Sequence, residues 1–406
     1  MKLSLKRISL SFLALLCALL LLPGHVSASA DAGLTEEQLT LFQHTAESFF
    51  TSYTDYCRRG GESAMWGVLN KVLPGSELYS YIYESREAMI FASSTDLSYE
   101  SLEYSDFSVP EDGTFRCIVS YSATAIVTNW YETYSYPISN TLELCFSLYQ
   151  GSWKASAVND TASCTDVPFD SLLTGEDLQV IDIASGRCKG KLIVVKDPTR
   201  VFLGTMDNIG RQEGLVLDDL VDKYGGIAGI NAGGFNDDNG RGNGGIPQGL
   251  VIADGAIVYG SGGSSYAIVG LDAAGSLRIG TMTGDEAIAS GIVSGVSFTT
   301  HTGNNSALLI DGVPQTQNFG TGVNPRTAIG QREDGSLLLL VLDGRCVDTL
   351  GVRMEDVCSL LQWCGAVNAG NLDGGSSSTM VYDGKIISNC SSCTGARRIP
   401  TAFIVK

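Results

Sequence analysis

The sequence predicts an α+β chain in two unlike parts, a smaller helix-plus-sheet domain followed by a larger β-rich one. Three observations carry this. Glycine is unevenly spread: of 48, one lies before residue 31 and eight between residues 31 and 175, leaving 39 for the remainder, whereas 12 of the 16 tyrosines fall in the first part. Helical periodicity comes first and gives way to long alternating segments rich in aromatic and β-branched residues. From about residue 176 short apolar runs alternate with Gly and Asp-Gly turns, the pattern of a strand-rich domain with its loops gathered at sheet ends.

Before the first domain, Lys2, Lys6 and Arg7 precede an apolar run from Ile8 to Leu22, followed by Pro23 and Ala28-Ser29-Ala30. That order reads as a secretory signal peptide over residues 1–30. Fifteen apolar residues are short for a bilayer span, so a membrane is met only through this segment, and only if it stays uncleaved. A secreted or extracellular location follows, at the cell surface or free of it. Beyond the leader, 23 basic residues face 44 acidic ones, a formal charge of −21. Such acidity argues against nucleic acid as a partner and requires any anionic ligand to be captured locally. The ten remaining cysteines are an even number in an exported chain, which points to disulfides, with local bridges explaining Cys358 with Cys364 and Cys390 with Cys393. Only His44 and His301 remain in the mature chain, which nearly excludes histidine metal sites and a histidine-centred hydrolase.

In the first domain, residues 31–175, Thr35 is placed to cap a helix whose first turn carries Glu36 and Glu37 and whose apolar residues recur through Phe50. A second helix is expected from about Ser76 to Ala92. Strands follow at Phe115 to Val127, Thr141 to Tyr149 and Trp153 to Val158. Helices followed by such a meander, ending in Leu144 to Lys154, resemble the curved-sheet domains of the nuclear-transport-factor (NTF2) and cystatin-like kind. No acid, base or metal set converges here, so a spacer or interaction module is expected.

In the second domain, residues 176–406, strands are expected at Leu192 to Val195, Gly249 to Ile252, Ile257 to Tyr259, Leu308 to Ile310, Leu337 to Leu342 and Ile386-Ile387. Asp254-Gly255, Asp311-Gly312 and Asp383-Gly384 mark hairpins. Helices are expected at Leu215 to Tyr224 and near Arg353 to Cys364.

Four glycine-bearing segments follow or open these strands: Asn231-Ala232-Gly233-Gly234-Phe235, Arg326-Thr327-Ala328-Ile329-Gly330, Leu342-Asp343-Gly344-Arg345, and Asn371-Leu372-Asp373-Gly374-Gly375-Ser376-Ser377-Ser378. Glycines let a backbone approach a ligand, and exposed N–H and hydroxyl groups after a strand hold an anion or a sugar. A guanidinium grips phosphate through paired hydrogen bonds, which marks Arg326 and Arg345. Asp373 and Asp343 are the carboxylates best suited to work at a sugar carbon, where two carboxyl groups divide the roles. Asn231 and Asn371 can offer amides to hydroxyls or phosphate. A polar turn remains the plain alternative for each Asp-Gly or Asn position. Gly240 to Gly245 has dinucleotide-loop spacing, but Ile246-Pro247 stands where a helix should begin. Asn236 to Gly240 lacks the first carboxylate of an EF-hand, which leaves only a nonstandard calcium site open. No cofactor is required by the sequence, and a divalent cation such as calcium stays an open question.

Taken together and in this order, with Pro247, Gly249, Arg398 and Pro400, these segments resemble the phosphodiester glycosidase family over about residues 226–406. The resemblance implies hydrolysis of the bond between a sugar anomeric carbon and a phosphodiester oxygen, of the N-acetylglucosamine-1-phosphodiester type, in a surface or extracellular glycan. It implies a phosphorylated glycan or sugar phosphodiester as partner. The implied catalytic residues are Asp373, Asp343 and Arg326. Substrate contacts are implied for Asn231, Gly233, Gly234, Thr327, Arg345, Gly374, Gly375, Ser377 and Ser378, and Phe235, Asn371 and Ser376 in the same segments are expected to join them. Ser376 stands where the family commonly has a third glycine, and Asn236 where it commonly has a second aromatic. A noncatalytic phosphoglycan-binding envelope protein is the rival reading.

Overall fold

The computed structural model describes residues 33–237, 242–298, 306–320, 322–389 and 392–406. The expected signal segment and most of the Asn236 to Gly240 loop lie outside the described residues. The first helix, α1 (Glu36–Arg59), begins as its sequence predicts: Thr35 Oγ1 accepts from the Gln38 amide at 3.2 Å and Gln38 Oε1 accepts from the Thr35 amide at 2.9 Å, a capping box. A short α2 (Glu62–Leu69) follows, then α3 (Glu77–Glu84), which is shorter than expected. The helix ends there because Ser85 turns its hydroxyl onto the Ile82 carbonyl and the Tyr56 hydroxyl, both at 2.8 Å, competing with continuation of the ladder.

These helices pack on an antiparallel meander of β1 (Ser94–Ser108), β2 (Phe115–Thr128), β3 (Thr133–Tyr149) and β4 (Ser152–Asp160). The core between them is aromatic: Phe115 stacks between Phe42 and Phe146, with ring centroids 4.2 and 4.3 Å away. The first strand escapes sequence reading because it is an edge strand with mostly polar residues.

The remaining strands are β5 (Leu178–Ser185), β6 (Cys188–Val195), β7 (Val201–Thr205), β8 (Ala228–Asn231), β9 (Val251–Ala253), β10 (Ala256–Tyr259), β11 (Ser265–Asp272), β12 (Leu277–Thr283), β13 (Ile292–Ser297), β14 (Ala307–Ile310), β15 (Val313–Pro314), β16 (Arg326–Arg332), β17 (Leu337–Leu342), β18 (Ala366–Asn371), β19 (Met380–Tyr382), β20 (Lys385–Ile386) and β21 (Thr401–Val405). Interspersed are α4 (Leu217–Lys223), α5 (Gly284–Ala289) and α6 (Met354–Trp363). They build a seven-stranded sheet in the order β15-β14-β18-β16-β17-β6-β5 and two five-stranded sheets, β20-β19-β8-β21-β7 and β10-β9-β13-β11-β12.

The run Leu337 to Leu342 shows why a strand can be apolar throughout. Leu338, Leu340 and Leu342 pack toward α6, while Leu337, Leu339 and Val341 enter a second core shared with the other sheets. Both faces of β17 are thus buried, as for a central strand covered on two sides. The expected Asp-Gly hairpins form: Asp254, Asp311 and Asp383 have φ of 49, 48 and 50°, and each following glycine is also left-handed, as paired turns of this type require.

The expected disulfides are not formed among the described residues, where nine cysteines are free. The physical obstacle is clear for Cys358 and Cys364. They lie six residues apart at the end of α6, about 9 Å along a helix axis, beyond the Cα separation a bridge tolerates. Cys390 lies outside the described residues.

The two parts of the chain are in contact. Val323, Val347 and Leu350, from loops of the second part, sit in the same buried cluster as the helices and sheet of the first. Tyr81 donates its hydroxyl to the Gly351 carbonyl at 2.9 Å and accepts from the Leu350 amide at 3.1 Å. Arg353 pairs with Glu84 at 2.6 Å and also with Glu77, and Lys189 pairs with Asp160 at 2.5 Å.

Candidate active site

The register of three strands assembles the site. In the antiparallel ladder Arg326 stands opposite Leu342, and Ala328 opposite Asn371, while the Leu372 amide donates to the Thr327 carbonyl at 2.9 Å. Asp343 therefore leaves β17 on one side of Arg326 and Asp373 leaves the neighbourhood of β18 on the other. With strands about 4.8 Å apart, the two aspartate backbones stand roughly 10 Å from each other at one end of the sheet, with Arg326 between them.

Asn231, wholly buried at the end of β8, fixes the loop after Asp373. Its Nδ2 donates to the Asp373 carbonyl at 2.6 Å, and its Oδ1 accepts from Thr327 Oγ1 at 2.8 Å and from the Thr379 amide at 3.1 Å. One side chain thus joins β8, β16 and both ends of the loop. Asn231 and Thr327 are positioning residues by this geometry. The loop then turns through Gly375, at φ 63°, whose amide donates to the Pro325 carbonyl at 2.9 Å. An added Cβ at Gly374 would come within 3.0 Å of that carbonyl oxygen, and one at Gly375 within 3.1 Å of Arg345 Nη2. Both glycines are needed where they stand, one for space and one for conformation.

Arg345, almost fully buried at φ 59°, donates from Nη1 to Ser376 Oγ at 2.5 Å and from Nη2 to Asn324 Oδ1 at 3.3 Å. The hydroxyl of Ser376, where a third glycine is common in the resembling family, thus has a defined role as an anchor. Unlike the hairpin pairs, Asp343-Gly344 makes no hairpin: a Cβ on Gly344 would meet Gly351 Cα at 2.8 Å and the Pro325 nitrogen at 2.9 Å, so this glycine serves close packing. Arg326 donates from Nη2 to the Gly322 carbonyl at 2.8 Å. Burial, with Arg345 adding repulsion, lowers its pKa to about 10. A desolvated guanidinium pair beside a loop of amides and hydroxyls is a site electrostatically suited to an anion.

Both carboxyl groups are pushed up to about 7, chiefly by burial. For Asp373, a hydrogen bond from Ser377 opposes the rise and Asp237 reinforces it. For Asp343, the Asn389 amide, 2.8 Å from Oδ1, opposes it and Asp348 reinforces it. Near neutral pH each can therefore hold or release a proton, as acid/base groups must. The two buried oxygens Asn371 Oδ1 and Ser378 Oγ flank the loop with no hydrogen-bond partner among the described residues.

Not every expected contact residue opens toward this place. Phe235 is buried in a cluster with Leu217, Leu220 and Ile399, and Arg397 lies over its ring at 5.2 Å. Gly233 and Gly234 pack against Val296 and Phe298, and the Gly233 amide donates to Thr401 Oγ1 at 3.1 Å. Three contributors escaped sequence reading: Asn324, which braces Arg345, and the Asp237–Arg397 ion pair, whose charges act on Asp373. Arg397, beside Arg398, offered a faint signal, but its partner lies 160 residues away in the chain. Among the described residues no cluster of three or more His, Cys, Asp or Glu side chains is arranged for a metal ion. No helix among them is long and apolar enough to cross a membrane.

Fold and site together define a strand-rich domain with two raised-pKa carboxyl groups beside a glycine- and serine-rich loop. Residues 224–406 match the family described as phosphodiester glycosidase. It is 31% identical over 202 residues to a SPbeta prophage-derived uncharacterized protein of Bacillus subtilis, covering 48% of this chain and 29% of that one. It is 29% identical over 216 residues to the mouse N-acetylglucosamine-1-phosphodiester alpha-N-acetylglucosaminidase, covering 49% of this chain and 41% of the mouse protein. The chain thus spans less than half the length of these relatives. Among solved structures, the zebrafish catalytic domain of the same name superposes with a TM-score of 0.46 at 23% identity, over 57% of this chain and 84% of that one.

Proposed function

We propose that the domain is an exported glycosidase that cleaves the bond between a sugar anomeric carbon and a phosphodiester oxygen, in a surface or extracellular glycan. The observation that carries this reading is the strand register that sets Arg326 between Asp343 and Asp373, with the Gly374 to Ser378 loop and Arg345 alongside. Arg326 and the loop amides and hydroxyls hold the phosphate and offset the charge that grows on it as the sugar leaves. A phosphodiester departs as a stable anion, so little acid assistance is needed. Asp373, which leads directly into the phosphate loop, acts at the anomeric carbon, stabilising its positive charge or activating water. Asp343 is the second carboxyl group. Export is supported by the basic, apolar and small-residue order of residues 1–30.

The test is incubation with an N-acetylglucosamine 1-phosphodiester, comparing the intact protein with Asp373→Asn. Release of N-acetylglucosamine by the intact protein, and loss of at least about a thousandfold in the variant with binding retained, is expected. Binding by the intact protein without release of sugar would overturn the enzymatic reading.

A further inference from the structure

We propose that the tip of the hairpin between β2 and β3 supplies a subsite for the sugar carried on the far side of the phosphate, so that the first domain helps to select the leaving group. This rests on the reading above and deepens it. A cleft of about 220 Å³ lies where the hairpin tip meets the phosphate loop. Asn129, Glu132 and Tyr134 line it from the hairpin, and Ser376, Thr379 and Ser388 line it from the glycosidase domain.

The tip is built rather than loose. Asn129 Oδ1 accepts from the amides of Tyr131 and Glu132 at 2.8 and 2.9 Å, and the Trp130 amide donates to the Cys393 carbonyl at 2.9 Å. This docking leaves the Trp130 and Tyr131 side chains at the hairpin tip, 68% and 79% exposed, with Tyr131 beside Gly395, which itself lines the cleft. The two adjacent exposed rings offer apolar surface next to the polar cleft. Rings that offer apolar faces, next to a carboxylate, an amide and several hydroxyls, suit a sugar, which presents C–H faces and a ring of hydroxyl groups.

The direction follows from Ser376. Its hydroxyl is held by Arg345, on the phosphate-gripping side of the loop, whereas Asp373 turns toward Ser377 and the Asp237–Arg397 pair. Ser376 and Thr379 line the cleft and Asp373 does not, so the cleft lies on the Arg345 side of the loop rather than on the Asp373 side. The occupant is a saccharide esterified to that phosphate.

The experiment compares two N-acetylglucosamine 1-phosphodiesters, one with a methyl group and one with a disaccharide on the other phosphate oxygen. In the double variant Trp130→Ala/Tyr131→Ala, and separately in Glu132→Gln, KM for the disaccharide diester is expected to rise about tenfold while kcat and the methyl diester kinetics stay unchanged. These side chains are exposed, so folding should be preserved. Equal effects on both substrates, or none on either, would overturn the proposal. Should the intact protein hydrolyse neither diester, calorimetric titration with the phosphorylated disaccharide decides instead. Binding that weakens about tenfold in the double variant supports the subsite without the enzymatic reading. Binding that is absent, or equal in both proteins, overturns the subsite.

Discussion

Asn231→Ala is the perturbation whose size the structure defines best. The amide makes three hydrogen bonds, to the Asp373 carbonyl, Thr327 Oγ1 and the Thr379 amide, at a position with no solvent access. Alanine leaves two donors and one acceptor unsatisfied in a place that water reaches poorly. Each such group costs about 1–3 kcal/mol, and some relaxation follows, so a loss of about 3–5 kcal/mol is expected. For a domain of this size that lowers the melting temperature by roughly 6–20 °C. Thr327→Val is the control, because it removes one bond and leaves Asn231 its other two, for a loss of about 1–2 kcal/mol. Urea and thermal unfolding of the three proteins measure both values. Sugar release should also fall about a hundredfold in Asn231→Ala, since the loop that follows Asp373 loses its pin and small misplacements are costly. A stability change within about 1 kcal/mol of the parent, or equal losses in the two variants, would refute the view of Asn231 as the joint of the site.

Three further outcomes follow from the same geometry. Asp343 has its folded pKa raised from 3.8 to about 7, so the folded state holds the proton more tightly; its contribution is full below about pH 4 and is lost as pH rises through 7. Asp373 is raised in the same way, so Asp343→Asn should reduce the decline in unfolding measurements between pH 4 and 8 by the share of one carboxyl group, not abolish it. Gly375→Ala places a side chain at φ 63° and 3.1 Å from Arg345 Nη2, and should cost about 1–2 kcal/mol in urea unfolding together with weaker phosphate binding. Tyr81→Phe strips the Leu350 amide and Gly351 carbonyl of their partner, and should cost about 1–3 kcal/mol, measured by the same unfolding assay.

Much of the scaffold could be read from local chemistry. Thr35 caps α1, the three Asp-Gly hairpins form, and the leucine run of β17 is central because each rule involves neighbours in sequence. The α3 helix ended early through Ser85 and Tyr56, partners 29 residues apart, which no local pattern reveals. The same distinction applies at the site. The residue types of the four segments pointed to an anion and sugar site, but their division of labour depends on register: Asn231 and Thr327 face each other and serve as a joint, and Phe235 faces the core. Asp343-Gly344 and Asp383-Gly384 are the same dipeptide. Asp383 and Gly384 are left-handed and close a hairpin, whereas Asp343 and Gly344 are not and Gly344 packs tightly against Gly351 and Pro325.

The contact between the two parts of the chain bears on how the site is held. Arg345 is braced from its own domain by Asn324 and Ser376, while the Phe91 ring of the first domain lies 5.4 Å from its guanidinium. The loop that follows Arg345 continues through Val347 and Leu350, which are buried in the aromatic core of the first domain, to Gly351, which Tyr81 holds. Gly351 packs in turn against Asn324, whose ladder with Val352 spans 2.9–3.1 Å in both directions. Arg345 therefore sits in a closed ring of contacts that passes through both domains. A spacer would leave such a loop to the second domain alone. Here the buried surface that keeps the first domain in place is the same surface that fixes Arg345, so loosening the one must loosen the other.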